Sequence, residues 1–259
     1  MYPRQFLDSF WSPEIRNQVF VALSFDELFL GIFKEMIEPA CNECNIPPLL
    51  INNEKSGDSI ITKILDGIAH SKLIIVEISS TRENDSKSRN GNVMWEVGVA
   101  HSFRQPDEVI LLRYDSDHLL FDIGPIRVHK YNNQDLNGAR KDLTALINDR
   151  LNAIEYQKSM LVDRALNILD PGALNTLLSK VPFPYKTESF EIKPTMGNQL
   201  LWPKLFELGI IAFDSNIINK KTIKEAQKGN LTVFSKFRVT QFGLAVLDRL
   251  IKKIDSGII

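Results

Sequence analysis

The 259-residue chain has only two cysteines and four histidines, and both scarcities narrow its chemistry. Cys41 and Cys44 are spaced C-x-x-C, a pattern open to a redox or metal role, but a zinc site would need two further ligands. His70, His101, His118 and His129 stand singly, so no metal site is expected. The cysteine pair falls at the end of an expected helix, Glu27 to Glu43, whereas a reactive thiolate is favoured at a helix start. Two packed thiols are the better reading. No apolar run approaches the roughly 20 residues needed to span a bilayer. The segment Met1–Phe10 also lacks a signal-peptide core. The expectation is a soluble cytoplasmic protein with no membrane partner.

Net charge is scarce too, at −1, but the average conceals an asymmetry. Residues 1–157 hold 16 Lys+Arg against 23 Asp+Glu, and residues 158–259 hold 15 against 9. Halves of net −7 and +6 argue for two domains, 1–157 and 158–259, the second able to face a polyanion. At 44% hydrophobic content, there is enough apolar material for a normal core.

The first half alternates strand and helix. Expected strands are Gln18–Leu23, Pro48–Ile51, Leu73–Ile78, Val109–Leu112 and Ile126–Tyr131. Leu73–Ile78 is apolar enough to lie at the centre of a parallel sheet. Between the second and third strands, Asp58 or Ser59 would cap a helix striped by Ile60, Ile64, Leu65 and Ile68. Strands separated by single helices imply right-handed crossovers and an open, doubly wound α/β sheet, with ligands bound outside the carboxyl ends of the strands. That rule gathers Ser24, Phe25, Glu77, Ser79, Ser80 and the approach to Glu96 on one rim, with Asp58 on the same edge. The polar stretch Ser79–Gly91 reads either as a mobile flap over this rim or as a plain surface loop.

The chain is organised around Asn90–Phe103 (NGNVMWEVGVAHSF), a glycine-broken loop entering a helix. Val93, Val97 and Ala100 share one stripe, and Asn92, Glu96 and Phe103 an adjacent one. With Trp95 and Val99 added, the helix is expected to be buried on most sides. Desolvation would raise the Glu96 pKa, and the helix dipole would lower it. Such a carboxylate is either a nucleophile or charge stabiliser, or a structural glutamate capping its own helix. His101 lies about 140° around the helix from Glu96 and is read as a helix-end histidine facing a neighbouring loop, not as a proton donor.

The series VFVALSFD (19–26), GDSIITKILDGI (57–68), LIIVEIS (73–79), NVMWEVGVAH (92–101) and FDIGPIRVHKY (121–131) resembles the nucleoside 2-deoxyribosyltransferase-like group. That group shares a flavodoxin-like sheet with the NAD-cleaving TIR domains. The resemblance implies that Glu96 attacks or stabilises the anomeric carbon of a nucleoside. Glu77 and Asp58 would be the sugar-side partners, Ser24 and Phe25 the base or phosphate loop, with Ser79 and Asn92 completing the substrate-binding rim. Relatives often carry Asp where Glu77 stands, and the longer side chain shifts the ribose contact. The substrate, NAD or a nucleoside phosphate, is not carried over, and no cofactor is implied. Breaking an N-glycosidic bond places positive charge on the ribose, which one buried carboxylate can stabilise or trap as an ester. Nicotinamide leaves as a neutral molecule without needing a proton, which favours NAD if no acid stands near Glu96.

An amphipathic helix is expected over 132–157, ending near Tyr156–Ser159, followed by separate helices Met160–Leu169, Ala173–Ser179 and Gly197–Leu208. A strand over Leu231–Val239 and a helix capped by Thr240 close the chain. LWPKLFELGII (201–211) and FRVTQFGLAVLDRL (237–250) resemble the recognition helix, wing and last helix of winged-helix domains. The expected fold class is therefore α/β, a flavodoxin-like doubly wound parallel sheet with a second, smaller winged-helix-like domain. Asn198, Gln199 and Lys204 are sparse polar contacts for reading DNA bases, while Trp202 and Phe206 suit a core. Homo-oligomerisation or docking of a partner protein stands slightly ahead of DNA reading. A basic wing (Lys220, Lys221, Lys224, Lys228, Lys236, Arg238) gripping nucleic-acid phosphates is the middle case. The combined architecture resembles effectors of bacterial antiphage systems, including retron-linked toxins. The competing readings are a nucleotide sensor without turnover and a DNA-binding regulator gated by the α/β domain.

Overall fold

A computed structural model describes residues 15–51, 60–83, 86–119, 127–170, 172–174, 178, 190–191, 201–213 and 236–257. The chain divides into two compact units, Met1–Tyr156 and Gln157–Ile259.

The first unit is built on a five-stranded parallel sheet. Its strands are β1 (Arg16–Ala22), β2 (Pro48–Leu50), β3 (Ser71–Glu77), β6 (Val109–Arg113) and β7 (Val128–Lys130), in the order β2-β1-β3-β6-β7. This is the flavodoxin-like order, in which the chain reverses its direction of travel across the sheet between β1 and β3. The strands contain long apolar runs because both faces are covered. Phe20 and Ala22 of β1, Ile74 and Val76 of β3 and Leu111 of β6 join Ile68, Val93, Val97 and Ala100 in one buried cluster. Their alternates, Val19, Val21, Leu73, Ile75 and Ile110, point to the opposite face and are buried as well. Each fully buried aliphatic side chain stabilises the fold by about 1.5–3 kcal/mol.

The α-helices described in this unit are α1 (Glu27–Ile32), α2 (Glu38–Glu43), α3 (Ile60–His70), α4 (Gly91–Phe103) and the first part of the long α5 (Leu136–Ile168), which continues into the second unit. A π-helical turn, Phe33–Ile37, joins α1 to α2 where a single uninterrupted helix was expected. Pro39 has no N–H to donate, and the hydrogen-bond ladder widens just before it. Cys41 is fully buried, and its thiol is pushed up to about 12, chiefly by burial. Cys44 Sγ lies 3.5 Å from the Thr144 carbonyl oxygen. Two packed thiols fit these surroundings. The helix cap expected at Asp58 or Ser59 lies outside the described residues, as does that part of the site reading.

Ser79–Gly91 is not a plain loop. Ser80–Glu83 (β4) and Ser86–Arg89 (β5) pair antiparallel, with Ser80 opposite Arg89 and Glu83 opposite Ser86. The Asn84-Asp85 dipeptide between them is of the type that favours turns. The helix break expected near Tyr156–Ser159 is also absent, since α5 runs on to Ile168. No glycine or proline interrupts residues 139–170, and the helix gives way only before Asp170-Pro171-Gly172. Asp170 then caps the next segment, its Oδ1 accepting from the Ala173 N–H at 2.8 Å.

In the second unit, β8 (Phe190–Glu191), β10 (Lys236–Val239) and β9 (Ile211–Phe213) form an antiparallel sheet in the order β8-β10-β9. Helix α6 (Leu201–Glu207) precedes β9 and is separated from it by Gly209, whose φ of 74° suits glycine. Helix α7 (Gln241–Asp255) follows β10, with the Thr240 hydroxyl accepting from the Gly243 N–H at 2.9 Å, as the sequence led one to expect. Leu205, Ile210, Ile211, Val239, Val246, Leu247 and Leu250 are buried here. Lys220, Lys221, Lys224, Lys228, Asn198 and Gln199 lie outside the described residues; of the other basic-wing and base-reading residues, Lys236 and exposed Arg238 lie on β10 and Lys204 pairs with Asp170 at 3.9 Å. Among the described residues, no helix is long and apolar enough to cross a membrane.

Candidate active site

The carboxyl ends of β1 and β3 flank the point where strand order reverses. Chain leaving β1 supplies Ser24, which is buried, and Phe25, which is half exposed at 50%. Ser24 Oγ donates to Asp26 Oδ2 at 2.8 Å and accepts from Asn90 Nδ2 at 3.3 Å. Asn90 is the N-cap of α4, its Oδ1 accepting from the N–H groups of Asn92 (3.0 Å) and Val93 (3.3 Å). Asn92 itself is exposed in the first helical turn, so the side chain tied to the β1 end is that of Asn90. Asn90 was missed as a site residue, although an Asn immediately before a helical stripe is a recognisable capping signal.

Glu77 ends β3 and is only 2% exposed. Its Oε1 accepts from the Ser79 hydroxyl at 2.5 Å and from the Tyr131 hydroxyl at 3.2 Å, and its Oε2 from the Ser79 N–H at 3.1 Å. The Ser79 oxygen in turn accepts from the Tyr114 N–H at 2.8 Å. Burial pushes the Glu77 carboxyl up to about 7, and nearby Asp115 adds to the rise; the bonds from Ser79 and Tyr131 oppose it without cancelling it. Burial, followed by the Glu77 charge, raises the Tyr131 phenol as well. A ribose hydroxyl reaching Glu77 would have to share it with these donors.

Glu96 lies on α4, half-buried. The helix seats Val93, Val97 and Ala100 in the core, while Trp95 is 46% exposed and Gly91, Asn92, Gly98 and Ser102 are exposed. The helix is therefore one-sided, contrary to the expectation of burial on most sides. Gly98 and the polar Asn92 and Ser102 leave its outer face uncovered. Among the described residues, no hydrogen bond or ion pair engages the Glu96 carboxylate, and burial alone pushes it up to about 7. It does not cap its own helix, because Asn90 does that. His101 Nδ1 lies 2.9 Å from the Val97 carbonyl oxygen of the same helix.

A second polar cluster, not anticipated from the sequence, sits where β6 ends. Arg89 and Asp115 form an ion pair at 3.1 Å with both side chains 8% exposed. Asp115 Oδ2 accepts from the Ser80 N–H at 3.0 Å, and Ser80 Oγ donates to Asp117. The available signal was positional, since Asp115 and Asp117 directly follow an apolar strand. Among the described residues, no group of three or more His, Cys, Asp or Glu is placed to hold a metal ion.

The chain matches no family model and no curated protein sequence. Among solved structures it is similar to the TIR domain of the Toll-related receptor TRR-2 from Hydra magnipapillata. The identity is 13% and the TM-score 0.40, over 52% of this chain and 98% of that domain. Identity this low carries nothing of that receptor's function to this chain, whose fold assignment rests on its own strand order.

Proposed function

We propose that the first unit is an N-glycosidase that cleaves the base–ribose bond of a nucleotide, with Glu96 as the reacting carboxylate. The observation that carries this reading is a half-buried glutamate with no partner among the described residues, on the helix that starts at the sheet's switch point. A carboxylate that serves only structure is ordinarily held by donors, as Glu77 is. In the reaction, the bond between the ribose anomeric carbon and the base nitrogen breaks, and its electron pair leaves with the base. Glu96 either forms an ester to the carbon or holds the oxocarbenium ion as an ion pair; water then adds to that carbon, breaking the ester C–O bond where one has formed and releasing its proton to solvent. Partial desolvation strengthens the attraction between the carboxylate and the developing cation.

NAD is the favoured substrate. Nicotinamide departs neutral from a cationic linkage, and no acid is hydrogen-bonded to Glu96 among the described residues. Ser24, Phe25, Glu77, Ser79 and Asn92 are proposed as the substrate-side rim. For the second unit, the antiparallel strands closed by α7 are compatible with a winged-helix-like module, and docking of a second copy or a partner protein is its proposed role. A defence effector is the biological setting that fits the pairing of the two.

The test is mass spectrometry of NAD and nucleoside phosphates incubated with the purified full chain and with Glu96→Gln. Release of free base by the wild type and its loss in the variant is the expected result. Tight nucleotide binding without product over long incubation would select the sensor reading, and neither binding nor product would remove both.

A further inference from the structure

We infer that the Arg89–Asp115 pair is a positioning device that sets where the Glu96-bearing helix begins. In the sheet order β1-β3-β6, β3 is the middle strand. The chain leaves β3, makes the β4–β5 ribbon and returns at Arg89 and Asn90, the two residues immediately before α4. These two neighbours are pinned in opposite lateral directions. Asn90 bonds Ser24 beyond the end of β1, whereas Arg89 reaches Asp115 beyond the end of β6.

The Arg89 end is the more elaborate. Nη2 donates to Asp115 Oδ1 at 3.1 Å and to the Asp117 carbonyl at 3.4 Å. Nη1 donates to Asp115 Oδ2 at 3.4 Å and to the Ile78 carbonyl just past β3. One guanidinium thus holds both chain exits, from β3 and from β6. Asp115 completes the cluster by accepting from the Ser80 N–H at 3.0 Å and from the Asp117 N–H at 2.8 Å. Both partners are nearly dry, so the pair is held by geometry that a lysine cannot reproduce, because the planar fork is lost. Residues on three strand exits are therefore used to fix one peptide, the one that enters α4. Glu77, which neighbours Asp115, is bonded from Ser79 and Tyr131 and takes no part in holding Arg89.

Only the kinetic arm of the test rests on the proposed glycosidase reading; the structural arm does not. Arg89→Lys and Asp115→Asn are compared with wild type by residue-resolved amide hydrogen exchange. The first-turn amides of α4, Asn92, Val93 and Met94, are expected to exchange at least about tenfold faster, while amides of β1, β3 and β6 keep their rates. If the wild type cleaves a nucleotide, kcat should fall in both variants with KM changed less, since Glu96 is misplaced and not removed. Unchanged first-turn exchange in a folded variant overturns the inference, as does a uniform rise across the whole sheet, the mark of a merely structural pair. If Arg89→Lys does not fold, Asp115→Asn carries the same comparison, because it is isosteric and keeps one of the two side-chain oxygens that accept from the Ser80 and Asp117 N–H groups.

Discussion

Asn90 donates from Nδ2 to Ser24 Oγ at 3.3 Å while its Oδ1 receives the Asn92 and Val93 N–H groups. One side chain thereby caps the Glu96 helix and ties its start to β1. The two functions separate by mutation. Asn90→Ala loses both and should cost about 1 kcal/mol in urea unfolding. Asn90→Asp keeps an N-cap acceptor and loses the donor to Ser24. It should recover most of that stability while still slowing nucleotide turnover. Equal instability in both variants would show that the cap is not the source.

Glu77 has a pH signature with a definite sign. Burial raises its folded-state pKa to about 7 from the ordinary carboxyl value of 4.5, so the folded protein holds a proton that the unfolded chain releases. Stability is then greatest below about 4.5 as far as this group is concerned, and falls as pH rises through about 7. The shift corresponds to roughly 3 kcal/mol lost over that window. Glu77→Gln, still able to accept from Ser79 and Tyr131, should flatten this part of the stability–pH curve. Equilibrium unfolding at a series of pH values measures it, and an unchanged slope would contradict the assignment.

At the amino ends of β3 and β6, Arg104 and Glu108 are an ion pair at 3.0 Å, 1% and 4% exposed at their side chains. Arg104 also donates to the Ala69 carbonyl at 2.9 Å, and Glu108 accepts from the Gln105 N–H at 2.8 Å. Removing one partner takes the counter-ion from a buried charge, so Arg104→Met should cost about 3–5 kcal/mol. Replacing both by apolar residues should cost less than either single change. A double-mutant cycle in thermal unfolding checks this order.

What was legible in the sequence follows from how each feature is held. β1, β3 and β6 announce themselves as apolar runs because both sheet faces are buried, and Thr240 reads as a cap because the apolar stripe of α7 starts just after it. β4 and β5 (STRE and SKSR) contain no hydrophobic alternation, so their pairing leaves no pattern to read. Arg89 and Asp115 are 26 positions apart and meet only through topology. Glu96 was legible as a candidate because it is one carboxylate among apolar neighbours. Its lack of a partner among the described residues could only come from the fold.

Gly243 offers a test confined to the second unit. A Cβ at this position would lie 2.1 Å from the Ile210 carbonyl oxygen and 2.7 Å from Val239 Cγ1. That carbonyl also accepts from the Thr240 N–H at 3.0 Å, so pushing it away disturbs the cap of α7. Gly243→Ala should destabilise this unit by about 1–3 kcal/mol or more. The readout is urea unfolding followed by hydrogen exchange in α7, and a neutral result would mean the backbone yields easily there.

Glu96 itself should carry the pH dependence of turnover. Its carboxyl is pushed up to about 7 by burial, with no ion pair to hold it charged among the described residues. Attack on, or stabilisation of, a ribose cation requires the anion. The active fraction of enzyme should therefore rise with pH and level off above about 7, under conditions where substrate is not saturating. Glu96→Asp keeps the acid but shortens its reach by one methylene, so it should lose most of kcat while retaining a pH-dependent remnant. Glu96→Gln should bind nucleotide and turn over nothing. Base release measured from pH 5 to 9 decides the matter. An ascending limb centred near 4.5 would mean that Glu96 is solvated during turnover, and a descending limb at 7 would mean that it acts as an acid.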